Sequence, residues 1–312
     1  MQEQDATPSR GSLRGVATMF GSALSNQVGA AVGASAFGAV GPAGVVAIRQ
    51  WVAAAVLLPV ARPPLRRMSW PQWWPVLVLA VVFGAMNLGL YTAIDRIGLG
   101  LAVTLEFLGP LGVALAGSRS RRDVLLAVAA AGGVYLLVLP GPSSDYLGLG
   151  AGVLAGLCWA AYIVLNRIAG ARLPGLQAPA VASALCALAY LPVLVLLTLQ
   201  GRLGGAPLLY AVTAGVLASA VPYAADLAAL RFVPYRFFAV FMSVHPVLAA
   251  VVGIAVLEEY LELHEWAGIA VVVLTNVAAV ASGGAASPLP DSGATTAGAV
   301  PPAAEELDAR PA

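Results

Sequence analysis

The chain has 312 residues and is far too apolar for an ordinary water-soluble domain: 60% of its residues are hydrophobic and only 10% are charged, against roughly 25% charged residues in soluble domains. Sixteen basic residues, all of them arginine, nearly balance fifteen acidic ones and leave a net charge of +1. The composition therefore excludes a typical cytosolic enzyme, and the small net charge gives no indication of nucleic-acid binding.

Ten apolar runs follow one another along the chain. A bilayer core about 30 Å thick needs roughly 20 apolar residues per helix, so each run predicts a transmembrane helix in an all-α membrane protein. The polar tails, residues 1–14 and 284–312, are predicted to be cytoplasmic, and the composition of the second one favours disorder. The ten predicted spans are residues 16–37, 42–61, 73–93, 97–117, 122–140, 147–166, 177–199, 207–228, 237–257 and 265–283.

The positions of the arginines predict that both chain termini lie in the cytoplasm. With that orientation, twelve of the sixteen arginines fall in inner segments, and only Arg96 and Arg202 fall in outer ones. Cytoplasmic loops of membrane proteins carry the excess of basic residues, whereas an odd number of spans would place basic loops on both sides. We therefore expect a multi-pass protein, with the lipid bilayer as its main partner and no nucleic acid.

Residues 93–117 and 228–253 share one pattern. Each segment has an arginine at a helix junction and then a proline inside the next span, at Pro110 and Pro246, and a glycine follows seven residues after each proline. Chance similarity among apolar helices is the alternative, because glycine and proline are frequent in such helices. The pattern favours an internal repeat.

The two copies of this pattern are the fourth and ninth predicted spans. Because they are five spans apart, they face opposite ways across the membrane. Inverted repeats of this kind are typical of secondary transporters. The sequence therefore predicts two inverted five-helix repeats, residues 15–140 and 141–283.

Five stretches of the predicted membrane part together carry a family resemblance. They are Gln27-Val28-Gly29-Ala30-Ala31, Ala47-Ile48-Arg49, the run from Val103 to Leu111, Trp159-Ala160-Ala161-Tyr162, and His245-Pro246 with Gly253 and Glu258. On these residues the chain resembles the drug/metabolite transporter superfamily of ten-span (EamA-type) carriers, and within it the bacterial threonine/homoserine exporters. The resemblance covers about residues 15–283. The chain departs from the family pattern at one position: the first-repeat counterpart of Glu258 is Arg122.

The resemblance implies export of amino acids or related small metabolites across the bacterial cytoplasmic (inner) membrane. From the two inverted halves we expect alternating access, driven by proton coupling or by exchange, and no cofactor. The oligomeric state stays open, and a homodimer is compatible with the sequence. A channel, a sensor or an intramembrane enzyme without carrier activity is the alternative.

Arg49 and Glu106 are the charged residues deepest in the predicted membrane. At 1.5 Å per residue they lie about 10 Å and about 13 Å below the outer ends of their spans, where a charge costs at least about 2.5 kcal/mol. An arginine fork can hold the carboxylate of an amino acid at two points, and Glu106 can receive its ammonium group. A closed structural ion pair between the two residues is the alternative.

Two carboxylates are candidates for proton coupling. Glu106 is one, and Asp226, near the inner end of the eighth predicted span, is the other. For Asp226 the alternative is an interfacial ion pair with Arg231. Asp95 and Arg96, adjacent in sequence, are predicted to form a surface pair.

Further polar residues are predicted to line a substrate cavity. His245 lies near mid-membrane directly before Pro246, and proline removes a backbone donor, so a broken helix is expected there. A satisfied core histidine is the alternative for His245, and helix–helix contacts are the alternative for the others. The other candidates for hydrogen bonds to substrate are Asn26, Gln27, Asn87, Tyr162, Asn166 and Tyr223.

Catalytic and metal-binding motifs are missing from the sequence. Ser243 and His245 are two residues apart on one predicted helix and project to different faces, so they do not form a nucleophile–base pair. No cluster of His, Cys and Asp predicts a metal site. A phosphate-binding loop of the glycine-rich lysine type requires lysine, and the chain has none. We therefore predict that the protein is not an enzyme and not an ATP-driven pump.

Overall fold

The computed structural model describes residues 10–116, 120–139, 144–229, 233 and 235–282. In these ranges the chain forms helices joined by short turns, and no strand is present. The predicted N-terminal tail is helical from Arg10 onward. The predicted C-terminal tail, residues 284–312, lies outside the described ranges.

Fourteen α-helices, one 3-10 turn at Leu65–Arg67 and one π-helical turn make up this part of the chain. The helices are α1 (Arg10–Ala34), α2 (Phe37–Ala61), α3 (Trp70–Ile97), α4 (Leu99–Glu106), α5 (Leu108–Ala116), α6 (Arg121–Val138), α7 (Tyr146–Gly170), α8 (Gln177–Ala189), α9 (Leu191–Leu199), α10 (Gly205–Gly215), α11 (Val221–Ala229), α12 (Tyr235–Met242), α13 (His245–Leu257) and α14 (Leu263–Ser282), and the π-helical turn is Val216–Ala220.

Each of the ten predicted spans coincides with one helix or with consecutive helices. By length and composition, six helical segments of the described chain can cross a membrane, and the pair α8–α9, bent by 42°, makes a seventh if counted as one span. Neither α1 nor α6 is among them. The polar residues of the Ser22–Gln27 stretch dilute the apolarity of α1, and three charged residues open α6. The count of ten spans therefore stays a prediction.

The fourth and ninth predicted spans are both broken near their middle. The first break, at Phe107, separates α4 from α5, and the second, at residues 243–244, separates α12 from α13. Pro110 and Pro246 lie in the first turn of the helix after each break, where a missing N–H leaves no hydrogen bond unmade. The predicted interruption at Pro246 is confirmed.

Glycines allow α7 to pack closely against the broken helix α4–α5. A Cβ atom added at Gly156 of α7 would lie 2.9 Å from the Leu105 carbonyl oxygen and 3.2 Å from that of Glu106. One added at Gly109 of α5 would lie only 2.1 Å from the Gly156 carbonyl oxygen. Small residues at such contacts let helix backbones approach each other, and here they hold the break at Phe107 against α7.

Replacing Gly109 by alanine should therefore destabilise the fold. Backbone atoms block the new methyl group, and overpacking of this kind costs about 1–3 kcal/mol. We expect a clearly lower melting temperature in detergent for Gly109→Ala than for the wild type. Gly112→Ala, on the same helix with nothing within 4 Å of the added Cβ, is the control and should melt like the wild type. Equal melting of both variants would contradict the close contact.

The loop between α13 and α14 binds the start of α4. The Glu259 carboxylate accepts a hydrogen bond of 2.7 Å from the Leu99 backbone N–H. Gly98 and Gly253 leave room for this side chain, since a Cβ atom at Gly253 would lie 2.3 Å from Glu259 Oε2. Burial raises the pKa of the Glu259 carboxyl above its usual range, although hydrogen bonds from the Leu99 and Gly100 N–H groups act in the opposite direction. Glu259 is thus a helix cap supplied by a distant loop.

Two substitutions of Glu259 should separate the hydrogen bond from the charge. Glu259→Ala removes the cap, which typically costs about 0.5–2 kcal/mol. Glu259→Gln keeps a carbonyl acceptor and carries no charge. Because the folded-state pKa is raised, the stability that the carboxyl contributes is complete below its ordinary pKa of 4.5 and is lost as the pH rises through the raised value.

We therefore expect the stability of Glu259→Gln relative to the wild type to increase as the pH is raised above 4.5. Thermal unfolding in detergent across a pH series measures this difference. A difference between the two proteins that does not change with pH would show that the carboxyl keeps its ordinary pKa.

Candidate functional site

A polar cavity of about 190 Å³ lies among α1, α2, α3, α8, α11 and the start of α13. Five of the residues singled out in the sequence line its wall. Gln27, Glu106 and Tyr162 do not line it, and the side chain of Tyr223 lies outside the described part of the structure. The five lining residues are Asn26, Arg49, Asn87, Asp226 and His245.

Arg49 is held at the cavity by three neutral hydrogen-bond acceptors. Its Nε donates to Ser219 Oγ at 3.0 Å, its Nη1 to the Tyr91 hydroxyl at 3.2 Å, and its Nη2 to the Ala218 carbonyl at 2.7 Å. The guanidinium also lies 5.5 Å from the centre of the Tyr91 ring, a cation–π distance. Tyr91 is fully buried, so these contacts fix the orientation of the fork.

Two of the three acceptors, Ser219 and Ala218, lie at an interruption of the helix between α10 and α11. The residue four positions after Ala218 is Pro222, which has no N–H, so the Ala218 carbonyl lacks its ordinary helical partner. At the same turn the Val221 N–H bonds to the Val216 carbonyl in a π-helical pattern, and the Leu217 carbonyl accepts Ser25 Oγ at 2.8 Å. π-helical turns of this kind are frequent at functional sites. Pro222 thus exposes the backbone that binds Arg49.

The positive charge of Arg49 has no fixed counter-ion in the described ranges. No carboxylate oxygen there lies within 4.0 Å of its nitrogens. A guanidinium has five N–H donors. The three hydrogen bonds leave one N–H free on each of Nη1 and Nη2, and these are the two groups that bind a carboxylate at two points.

Asp226 lies on the same wall of the cavity. Its Oδ1 accepts a hydrogen bond of 2.5 Å from Ser22 Oγ, which joins α11 to α1. Arg231, the partner considered from the sequence, lies outside the described residues. Asp226 follows Ser219 by seven residues, about 10 Å along a helix, so one wall carries both a cation and a carboxylate.

Glu106 does not line the cavity, although its carboxyl is close enough to Arg49 for their charges to interact. It is the last residue of α4 and is only 7% exposed. Among the residues that the structure describes, its carboxyl has no ion pair and no hydrogen-bond donor. The direct Arg49–Glu106 ion pair considered from the sequence is therefore not formed here.

His245, the first residue of α13, also contributes to the wall. Its Nδ1 lies 3.0 Å from Gln27 Nε2, and its ring stacks on Phe107 with a centroid distance of 5.6 Å. His245 Nε2 is buried and is the one such side-chain atom in the described ranges without a hydrogen-bond partner.

The hydrogen bonds of the remaining sequence candidates lie within their own helices. The amide Nδ2 of Asn87 donates to the Phe83 carbonyl one turn earlier at 2.9 Å, although the residue lines the cavity. The Tyr162 hydroxyl accepts a hydrogen bond from Asn166 at 3.4 Å, and its ring packs on Phe83. The ring contact of Tyr162 joins α7 to α3 and agrees with the alternative stated from the sequence, whereas the bond of Asn166 stays within α7.

Several polar residues of the site were not found by sequence reasoning. Ser22, Gln50, Ser183 and Ser219 line the cavity, and Tyr91 orients Arg49 from behind. A serine in an apolar helix is a weak signal because it bonds readily to its own backbone. Pro222 is the signal that could have revealed Ser219 and its neighbours.

The prediction that Arg96 pairs with Asp95 is wrong, because the acidic partner of Arg96 is a different residue. Arg96 Nη1 bonds to Asp145 Oδ2 at 2.9 Å, which ties the end of α3 to the start of α7. The Gly148 N–H donates to Asp145 Oδ1 at 2.8 Å. This hydrogen bond, together with Arg96, holds the pKa of Asp145 below its usual range.

Comparison with known proteins agrees with this architecture. Residues 146–280 match the EamA-like transporter family. The threonine/homoserine exporter RhtA of Salmonella typhimurium is 34% identical over 260 residues, covering 82% of this chain and 86% of the relative. The exporter of the same name from Escherichia coli (strain K12) is 35% identical over 238 residues, covering 75% and 80%.

A solved crystal structure shares the fold at 20% sequence identity. It has a TM-score of 0.52 and covers 87% of this chain and 96% of its own. The relatives show the family more directly, because the alignment with the first extends over most of both chains. The chain therefore belongs to the EamA-type drug/metabolite transporters, as a multi-pass membrane protein similar to the RhtA exporters.

Proposed function

We propose that this protein is a secondary active transporter that exports threonine-like hydroxy amino acids across the bacterial inner membrane. The relatives named above are exporters of threonine and homoserine, which share an α-carboxylate, an α-ammonium group and a side-chain hydroxyl. In this proposal the cavity around Arg49 is the substrate site.

The observation that carries the proposal is the unneutralised charge of Arg49 at a polar cavity. An uncompensated charge in a membrane protein is costly and marks a pathway or a binding site. Two free N–H groups on a fixed fork match the two oxygens of a carboxylate. The bound amino acid would complete the site by supplying the missing counter-ion.

Asp226 supplies the complementary group. Its carboxylate shares the cavity with Arg49 and can accept hydrogen bonds from the substrate ammonium. Asn26 and Ser22 line the cavity on the neighbouring helix α1 and add oxygen acceptors there. A zwitterion bound between Arg49 and Asp226 pairs its carboxylate with Arg49 and its ammonium group with Asp226. A simple anion or a simple cation would leave one of these two residues without a partner.

The volume of the cavity favours a small substrate. Pockets for drug-sized ligands measure roughly 300–1,000 Å³, and this one measures about 190 Å³. A small amino acid fits this size better than a nucleotide or an oligosaccharide does.

Alternating access of two inverted five-helix repeats is the proposed mechanism, with ten spans and both termini in the cytoplasm. The two broken helices, α4–α5 and α12–α13, occupy corresponding positions in the predicted repeats, and the family match over 146–280 coincides with the second repeat. Broken helices at the centre of inverted repeats are typical of secondary transporters. Rocking of the two repeats would expose the Arg49 cavity to each side in turn.

Glu106 is the proposed proton carrier. It is buried, it lies at the break between α4 and α5, and in the described ranges nothing fixes its carboxyl by an ion pair. Intramembrane carboxyls in such surroundings form the proton relays of transporters. Exchange without proton coupling is the alternative mechanism, in which Glu106 has only a structural part.

Uptake into inside-out membrane vesicles tests the proposal. Labelled threonine, homoserine, valine and leucine are compared with and without a pH gradient, using vesicles that lack the protein as the control. We expect saturable uptake of threonine and homoserine that the gradient stimulates. Non-saturating conductance would indicate a channel, and chemical conversion of the amino acid would indicate an enzyme.

A further inference from the structure

We propose that His245 recognises the substrate hydroxyl through its Nε2–H and that Gln27 is the positioning residue that places the ring proton there. This inference rests on the proposed function, because it names the group that reads the side chain of a hydroxy amino acid. It gives Gln27 a role behind the cavity wall in place of direct contact with the substrate.

The two residues differ in their relation to the cavity. His245 lines the wall, and Gln27, which is only 2% exposed, does not. Gln27 Nε2 approaches His245 Nδ1 at 3.0 Å across the contact between α1 and α13. Gln27 therefore acts on the substrate through the histidine.

The hydrogen bond determines the tautomer of the ring. In the structure the Gln27 amide turns its Nε2 toward the ring. With this amide orientation glutamine donates, so His245 Nδ1 accepts and the proton of the neutral ring lies on Nε2. His245 Nε2 is then a buried donor without an acceptor in the described structure. Leaving a buried donor unsatisfied costs about 1–3 kcal/mol, and a ligand oxygen that reaches Nε2 would remove this cost.

Aromatic packing fixes the plane of the ring. Phe107 stacks on His245 with an interplanar angle of 30°, and Trp159 packs edge-on against Phe107 at a centroid distance of 4.6 Å. Phe107 lies at the break between α4 and α5. The histidine therefore contacts a segment that is proposed to move during transport. A ring held on one face and at Nδ1 can offer only Nε2–H as a polar contact.

A fixed donor of this kind selects for a hydroxyl. A site built to hydrogen-bond a substrate hydroxyl discriminates strongly against the analogue that lacks it, because the buried polar group is then left unpaired. The α-carboxylate and ammonium are assigned to Arg49 and Asp226, so the side-chain hydroxyl is the oxygen that remains for His245. The relevant comparison is threonine against 2-aminobutyrate, which differs from it only by that hydroxyl.

The tautomer is measured directly by nitrogen NMR of protein labelled at its histidines. The chain has two histidines, and His264→Gln identifies the signals of His245. We expect the proton on Nε2 in the wild type and on Nδ1 in Gln27→Glu, whose carboxylate can only accept. A wild-type ring with its proton on Nδ1 would overturn the role of Gln27, and this result needs no transport.

Transport and binding test the hydroxyl contact. We expect the wild type to prefer threonine to 2-aminobutyrate by about tenfold or more. His245→Leu and Gln27→Glu should lower this preference, because the KM for threonine rises more than the KM for 2-aminobutyrate. His245→Gln, which retains an amide donor, should partly restore it. Threonine, and not 2-aminobutyrate, should shift the His245 Nε2 signal.

The outcomes separate this inference from the proposed function. An equal loss of both substrates in the His245 and Gln27 variants would mean that the pair has only a structural role. An unchanged preference in those variants, or equal shifts of the Nε2 signal with both amino acids, would also overturn the hydroxyl contact. If the wild type binds and moves neither amino acid, the proposed function fails together with the hydroxyl contact, whereas the tautomer result stands on its own.

Discussion

Replacing Arg49 by lysine should reduce threonine transport by about 100-fold although the positive charge is kept. The guanidinium makes three hydrogen bonds, to Ser219, Tyr91 and Ala218, and offers two further N–H groups to a carboxylate. An ammonium group is a compact point charge on a flexible stem and cannot reproduce this fork. Hydrogen bonds involving a charged group contribute about 1.5–3 kcal/mol, and about 2.8 kcal/mol corresponds to 100-fold.

The effect should appear mainly as a higher KM, because the lost interaction binds the substrate carboxylate. Initial rates of threonine uptake into inside-out vesicles over a range of concentrations measure this. Arg202→Lys is the control, since that arginine is exposed between α9 and α10 and does not line the cavity, and it should transport like the wild type. An Arg49→Lys variant with wild-type KM and rate would show that Arg49 does not bind the substrate carboxylate.

Replacing Glu106 by glutamine should abolish accumulation driven by a pH gradient and leave exchange of substrate intact. Glutamine has nearly the same shape and cannot take up and release a proton. The carboxyl makes no ion pair within the described chain, so the variant breaks no direct ion pair and should fold normally. We expect the accumulation ratio with a gradient to fall to the ratio measured without one.

Asp226→Asn is the matched comparison for Glu106→Gln. Asp226 lines the cavity and is assigned to the substrate ammonium, so its neutral variant should lose exchange as well as gradient-driven accumulation. If Glu106→Gln still accumulates threonine with a gradient, Glu106 is not the proton carrier. If Asp226→Asn keeps exchange, the ammonium contact lies elsewhere.

The sequence was most informative where a residue conflicts with its surroundings. Arg49 stands out because an arginine within an apolar run is costly, and the structure places it at the cavity wall. Pro246 stands out because proline interrupts a helix, and a break is present directly before His245. Such conflicts can be seen in one sequence because they need no information about neighbouring helices.

The pairing of these residues could not be predicted in the same way. Arg49 and Glu106 have similar depths along their spans, but depth says nothing about which face of a helix a residue occupies. Two of the three acceptors of Arg49, Ser219 and Ala218, lie about 170 residues later in the chain, and hydrophobic periodicity does not reveal a π-helical turn. Similarly, the hydrogen bond of Gln27 to His245 joins residues 218 apart.

The number of spans shows a further limit of hydropathy. The run at residues 16–37 is helical as expected, yet its serines, asparagine and glutamine lower its apolarity. These residues include Ser22, Ser25 and Asn26, which face the interior of the helix bundle, where they bond to Asp226 and Leu217 or line the cavity. The polar residues that lower the hydropathy of this span are thus the same residues that form part of the site.

Counterflow in proteoliposomes tests the central claim, a carrier with one substrate site at Arg49, most directly. Proteoliposomes loaded with unlabelled threonine are diluted into a trace of labelled threonine, with wild-type protein and Arg49→Lys compared side by side. We expect the wild-type protein to accumulate label transiently against its gradient and the variant to accumulate almost none. Simple equilibration of label by the wild type, without an overshoot, would contradict alternating access at this site.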